Sequence, residues 1–192
     1  MSQPIQLIVG LGNPGEKYAK TRHNAGAWFV EALVKLTSSI LRPEAKFHGS
    51  CASLAVDQFK CYALIPTTFM NRSGLGVRAM AQFYNLPPEA ILIVHDEIDL
   101  PPGVARLKFD GGSGGHNGLK DIIEQLQTKQ FHRLRIGVGH PGHSDDVADY
   151  VLSAPSKSDR QLIDSALERS QTVLPLILEG AIQKAMQQLH SE

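Results

Sequence analysis

No stretch of the chain is long and apolar enough to cross a bilayer. Its longest apolar runs, residues 7–11 and 173–178, fall far short of the about 20 residues that a spanning helix needs. No charge surplus is present either, because 19 Lys and Arg meet 19 Asp and Glu among 192 residues. That balance speaks against a protein that coats nucleic acid indiscriminately. Cysteine is scarce: Cys51 and Cys61 lie in adjacent strand-like segments without C-x-x-C spacing, and they read as two reduced thiols in a cytosol. The opening Met1-Ser2-Gln3-Pro4 offers no basic n-region or apolar h-region, so a cytoplasmic location is expected. What the chain does contain, 42% hydrophobic and 20% charged residues, suits one compact domain spanning residues 1–192. The neutral total hides a polarity. Residues 1–135 hold 15 basic and 11 acidic side chains, whereas residues 136–192 hold 4 and 8. A polyanion is therefore expected to meet the earlier part, although charge of this kind equally marks a solvated face.

Hydrophobic spacing gives the order of elements. Residues 5–11 read as a buried strand running into the turn-rich Gly10-Leu11-Gly12-Asn13-Pro14-Gly15. Asn24 is expected to cap a helix over 25–36, where Trp28, Phe29, Ala32, Leu33 and Leu36 recur at 3- and 4-residue intervals. Residues 50–56 and 59–65 read as a hairpin, followed by a helix over 73–84 and a second buried strand over 91–94 that delivers His95, Asp96 and Glu97. A strand over 104–109, a glycine-rich loop over 110–118, a helix from 119 to about 127 and a strand over 131–138 follow. The last segment reads as one amphipathic helix from about 156, interrupted near Pro175 and resumed to about 189. Strands interleaved with helices, one hairpin included, predict an α/β single domain with a twisted mixed β-sheet flanked by helices. In such sheets ligands bind beyond the carboxyl ends of the strands.

Three motifs suggest other chemistries. Gly10-x-Gly12-x-x-Gly15 has the spacing of a dinucleotide fingerprint. The following residues 16–22 lack an apolar face, however, and no second strand ends in an acidic residue about 20 positions on. Gly111-Gly112-Ser113-Gly114-Gly115 matches the G-x-S-x-G nucleophile elbow, with Asp145 or Asp146 and then His190 as conceivable partners. A tight strand-to-helix turn is nevertheless missing around Ser113, and a serine esterase stands as an alternative. His140 and His143 are close together, but no H-E-x-x-H or C-x-x-C accompanies them and a Pro-Gly loop does not fix coordination geometry.

What remains is a set of polar residues beside loops: Asn13, His23, Asn71, Asp96, His116 and Asn117. The chemistry they suit is hydrolysis. A histidine can take a proton from water near neutral pH, a carboxylate can hold the ring and stabilise its charged form, and carboxamides can donate to a developing oxyanion. Each Asn taken alone is equally a turn or cap residue. Their joint placement at strand ends makes the case.

Five blocks carry a resemblance: Gly10 to Gly15, Tyr18 to Gly26 (Y-A-K-T-R-H-N-A-G), Thr67 to Gly74 (T-T-F-M-N-R-S-G), His95 to Gly103 (H-D-E-I-D-L-P-P-G) and Gly114 to Ile122 (G-G-H-N-G-L-K-D-I). Together, in order and spacing, they resemble the bacterial peptidyl-tRNA hydrolase family over nearly the whole chain. The resemblance implies a monomeric enzyme without metal or organic cofactor. It would cleave the ester between a peptide and the 3′ ribose of tRNA, recycling tRNA from stalled translation. Among the residues, it implies His23 as general base, Asp96 as its orienting carboxylate and Asn13 as a third catalytic residue. Tyr18, Met70, Asn71, His116 and Asn117 would meet the substrate, Lys108 and Arg135 would contact the tRNA, and the partner would be peptidyl-tRNA through its acceptor stem and 3′ end. The chain departs from the family pattern at Asp110, Ser113 and Ser144. A non-catalytic RNA-binding module on the same scaffold, like the plant plastid splicing relatives, is the alternative from another class.

Overall fold

In the computed structural model, which describes residues 2–191, the first apolar run forms β1 (Leu7–Gly10), buried at every position. Burial on both faces is what a continuous apolar strand without alternation demands. β1 pairs in parallel with β4 (Phe59–Pro66) on one side and with β5 (Ile91–Glu97) on the other, and β5 pairs in parallel with β7 (His132–Gly137). Antiparallel strands frame this centre: β3 (Gly49–Val56) beside β4, β2 (Arg42–Glu44) beyond it, and β6 (Ala105–Phe109) beside β7. The seven-stranded mixed sheet has the order β2-β3-β4-β1-β5-β7-β6.

Alternation along the strands sends side chains to two cores. Ile8, Leu92 and Val94 meet Phe29 and Leu33 of α1 (Ala25–Leu36), together with α5 (Lys157–Thr172), α6 (Leu174–Glu179) and α7 (Ile182–His190). Leu7, Val9, Ile91 and Ile93 meet α2 (Gly74–Phe83) and α3 (Asn117–Leu126) on the opposite face. Cys61 joins the first core and Cys51 packs against the second. The two thiols are therefore free and on different sides of the sheet. Burial pushes them up to about 12 and about 11, respectively.

The structure departs from the sequence reading at element ends and in short pieces. Asn24 does not cap α1 through its side chain. Its amide instead accepts the Asn13 N–H at 2.9 Å and donates to the Asn13 carbonyl at 3.0 Å, which pins the loop after β1. α3 starts at Asn117, two residues early, because the His116 ring takes the cap position. The terminal segment is three helices, divided at Val173 and at Gly180, whose φ of 90° ends α6. β2 and the short α4 (Val147–Val151) have no counterpart in the sequence reading.

Two glycines decide where α1 begins. A Cβ at Gly26 would stand 2.1 Å from the Val94 carbonyl oxygen, and one at Gly10 would stand 2.4 Å from the Gly26 oxygen. With no Cβ at either place, the first turn of the helix lies directly on the ends of β1 and β5. That contact sets His23, three residues before Gly26, beside Asp96, two residues after Val94.

Candidate active site

His23 sits in a one-turn 3₁₀ segment, Arg22–Asn24, that leads into α1. Its Nδ1 lies 2.9 Å from Asp96 Oδ2 and 3.0 Å from Oδ1, with both residues buried. Burial works to lower the His23 imidazole, but the charge and hydrogen bond of Asp96 outweigh it and hold the group above the usual 6.5. Burial likewise works to raise the Asp96 carboxyl. The charge of His23 and the hydrogen bonds of His23 and His116 prevail and hold it well below the usual carboxylate range. With Nδ1 committed to Asp96, Nε2 is the ring nitrogen left for the cleft that His23 lines.

That cleft, about 230 Å³, brings together residues from five places in the chain: Asn13 after β1, His23, the Phe69-Met70-Asn71 turn after β4, Asn117 at the start of α3, and Ala148, Val151 and Leu152 at α4. Asn13 is held by its neighbours. Its Oδ1 accepts the Met70 N–H at 2.7 Å, so the amide nitrogen is the end free to donate into the cleft. Tyr18 is not among the lining residues but meets one of them, its ring edge-on to Phe69 with centroids 6.2 Å apart. His116 is not among the residues that line the cleft. It lies behind Asp96, with Nε2 at 2.8 Å from Oδ1.

The far wall escaped the sequence reading. Arg22, buried, donates from Nη1 to the carbonyls of Tyr150 and Ser153 and to the Ser153 hydroxyl, and its guanidinium stacks 3.8 Å above the Tyr150 ring. The Tyr150 hydroxyl in turn donates to the Val138 carbonyl at 2.8 Å. α4 is thus tied to the residue that immediately precedes His23. No local sequence signal marks this, since α4 spans only five residues. A basic residue beside the candidate histidine was the one available hint.

Lys108 and Arg135 line a second depression, also about 230 Å³, with His95, Glu97, Arg133 and the loop residues Gly112, Ser113 and Gly114. Asn117 belongs to the first cleft and Leu119 to the second, so the two adjoin at the start of α3. In the β6–β7 ladder Lys108 stands opposite Arg133 and Arg106 opposite Arg135. Like charges directly across a ladder are destabilising. Part of this charge is answered within the chain: Arg106 Nη1 donates to the His190 carbonyl at 3.2 Å. Arg135 Nε donates to Glu97 at 2.9 Å, and Arg133 donates to the carbonyls of Gly111 and Gly112, holding the loop.

The competing motifs resolve on geometry. Gly15 (φ 95°) enters a turn and not a helix, so no helix N-terminus is offered to a pyrophosphate. His190 Nε2 accepts the Leu107 N–H at 3.0 Å and is committed to β6, away from service to Ser113. His140 and His143 each accept a backbone N–H of their own turn, from Gly142 and Asp145. Among the described residues one group has metal-ligand composition: donor atoms of His23, Asp96 and His116 lie within 4.8 Å of one another. The histidine nitrogens sit at 2.8–2.9 Å from the carboxylate oxygens. Two ligands on a tetrahedral zinc stand about 3.3 Å apart, given bonds of about 2.0 Å. The separations fit hydrogen bonds better than coordination.

A family model described as peptidyl-tRNA hydrolase matches residues 7–192. A peptidyl-tRNA hydrolase of Nitrosospira multiformis is 54% identical over 188 residues, covering 98% of each chain. One of Vibrio cholerae is 50% identical over 192 residues, covering 100% of this chain and 98% of its own. Among solved structures, the peptidyl-tRNA hydrolase of Acinetobacter baumannii superposes with a TM-score of 0.95 at 46% identity, covering 98% of this chain and 96% of that one.

Proposed function

The chain belongs to the peptidyl-tRNA hydrolase family, hydrolases that act on an ester bond, and from that premise we propose how its cleft performs the cleavage. A water held at His23 Nε2 loses a proton to that nitrogen as it attacks the ester carbonyl, and Asp96 stabilises the imidazolium that forms. The Asn13 amide nitrogen, left free by the Met70 contact, donates to the carbonyl oxygen as it gains charge. Asn71 and Asn117 hold the water and the terminal ribose, and Met70 with the Tyr18–Phe69 pair receives the peptide side. The protonated His23 then returns its proton to the departing 3′ oxygen of the ribose. One observation carries this reading: a buried carboxylate at 2.9 Å from Nδ1 of a histidine whose other nitrogen serves an open cleft lined by three carboxamides.

The tRNA is held through charge. The acceptor stem lies against Lys108 and Arg135, where cations already opposed across a ladder gain from a phosphate partner. Such contacts carry no sequence information, as suits an enzyme that serves many tRNAs. The chain acts as a monomer in the cytoplasm.

Incubation with N-acetyl-aminoacyl-tRNA and with its unblocked counterpart, chelator present, tests the reading. Cleavage of the blocked ester alone is expected, and it should disappear in His23→Ala and persist in Ser113→Ala. Turnover retained by His23→Ala would remove the general base, and loss in Ser113→Ala would return the serine esterase to consideration.

A further inference from the structure

His116 is bound at both ends of its ring. Nδ1 accepts the N–H groups of Gly118 and Leu119, at 3.1 and 3.3 Å, as the N-cap of α3. A nitrogen that accepts carries no hydrogen, so the ring proton is on Nε2, which faces Asp96 Oδ1 at 2.8 Å. The side chain is 9% exposed and stands outside the cleft lining.

We infer that His116 is a positioning residue for the hydrolysis and not a substrate contact: it ties the Asp96 carboxylate to the N-terminus of α3 and thereby fixes the carboxylate's orientation and basicity toward His23. The inference rests on the reading of His23 as general base. Its physical content is a relay of polarity. Two backbone N–H groups at a helix start draw electron density from the imidazole, which strengthens Nε2–H as a donor to Oδ1. Oδ2 remains for His23 at 2.9 Å. Asp96 then answers two proton donors from two different loops, and its carboxylate has one orientation that satisfies both.

The surroundings leave His116 as the group that tunes the pair. His23 comes from the turn before α1, and His116 from the loop before α3, with ring centroids 4.9 Å apart. From β5 itself comes His95, whose ring lies 5.1 Å from that of His116. Burial keeps His95 neutral down to about pH 3. Arg133 on β7 faces His95, and Glu97 is occupied by Arg135.

Two substitutions separate the ends of the ring. His116→Asn retains an acceptor near the position of Nδ1 for the helix cap but cannot reach Asp96. His116→Gln places a donor near the position of Nε2 and gives up the cap. Without its second donor the carboxylate holds a proton on the His23–Asp96 pair more tightly. The acid limb of kcat/KM against pH is therefore expected to move up by about one unit in His116→Asn, with KM for N-acetyl-aminoacyl-tRNA within about twofold of the parent. In His116→Gln the limb is expected to stay at its parental position, even where thermal stability drops. An unmoved limb in His116→Asn, a loss confined to KM, or an equal movement in both variants overturns the inference. Turnover in His23→Ala would instead overturn the general-base reading, whatever His116 does.

Discussion

Replacing Asp96 with asparagine preserves shape and removes one charge from a carboxylate on which two imidazole N–H groups converge. An amide offers one accepting oxygen and one donating nitrogen, so a single imidazole can keep its acceptor. His116 cannot yield, because the N–H groups of Gly118 and Leu119 fix its proton on Nε2. The amide oxygen therefore turns to His116 and the amide nitrogen to His23 Nδ1, which must become an acceptor. The His23 proton moves to Nε2, and the nitrogen that should take a proton from water already carries one. The expected loss is the whole general-base contribution, about 10² to 10⁴-fold in kcat, or about 3 to 5 kcal/mol at about 1.4 kcal/mol per tenfold. KM should remain within about twofold, since Asp96 lies behind His23. Single-turnover cleavage of N-acetyl-aminoacyl-tRNA across neutral and alkaline pH measures the loss, with thermal unfolding run alongside. Rates within tenfold of the parent at every pH would refute the reasoning. The tautomer account makes a second demand. Asp96→Asn combined with His116→Asn frees the amide oxygen to turn toward His23, so the double variant should be about tenfold faster than Asp96→Asn alone, a coupling of ordinary size for groups in contact. A slower double variant would discard the tautomer account and spare the general base.

Activity should fall below an inflection above pH 6.5, because His23 is held above that value and must be neutral to accept a proton; a pH–rate profile that stays flat to pH 6 would contradict this. The same shift stabilises the fold while His23 is charged, a contribution complete below pH 6.5 and lost as pH rises through the folded value, so thermal stability and turnover should change in opposite senses there. Asn13→Asp keeps the acceptor for the Met70 N–H but withdraws the free donor, and kcat should drop by about 10² to 10³-fold; unchanged kcat would move the oxyanion contact elsewhere. Lys108→Ala with Arg135→Ala should raise KM, leave kcat near the parental value and flatten the dependence of KM on salt; a salt slope equal to the parent's would dissociate this depression from tRNA.

Much of the scaffold was legible because its signals are local. Residues 7–10 and 91–94 are unbroken apolar runs and became the paired central strands, and the 3- and 4-residue spacing from Trp28 to Leu33 gave α1 its buried face. The candidate site residues could be named from loops at strand ends, and four of them, Asn13, His23, Asn71 and Asn117, line one cleft. What the sequence withheld is long-range. Asn24 has the composition of a cap, yet its amide finds better partners in the backbone of Asn13 eleven positions away. Arg22 reaches Ser153 across 131 positions, and no periodicity records such a tie. His116, at the edge of a glycine-rich loop, reads as an exposed cleft residue until the start of α3 shows which way its ring must face.

The seam at Gly10 and Gly26 has a consequence for judging variants of this chain. A methyl group added at position 26 would change no imidazole, carboxylate or carboxamide, yet it would wedge the helix off the Val94 carbonyl and pull apart His23 and Asp96, which adjoin only because the backbones touch. An inventory of side chains would pass such a variant as intact. The spacing between main chains, filled by nothing larger than hydrogen, belongs to the candidate site as fully as the side chains that meet there.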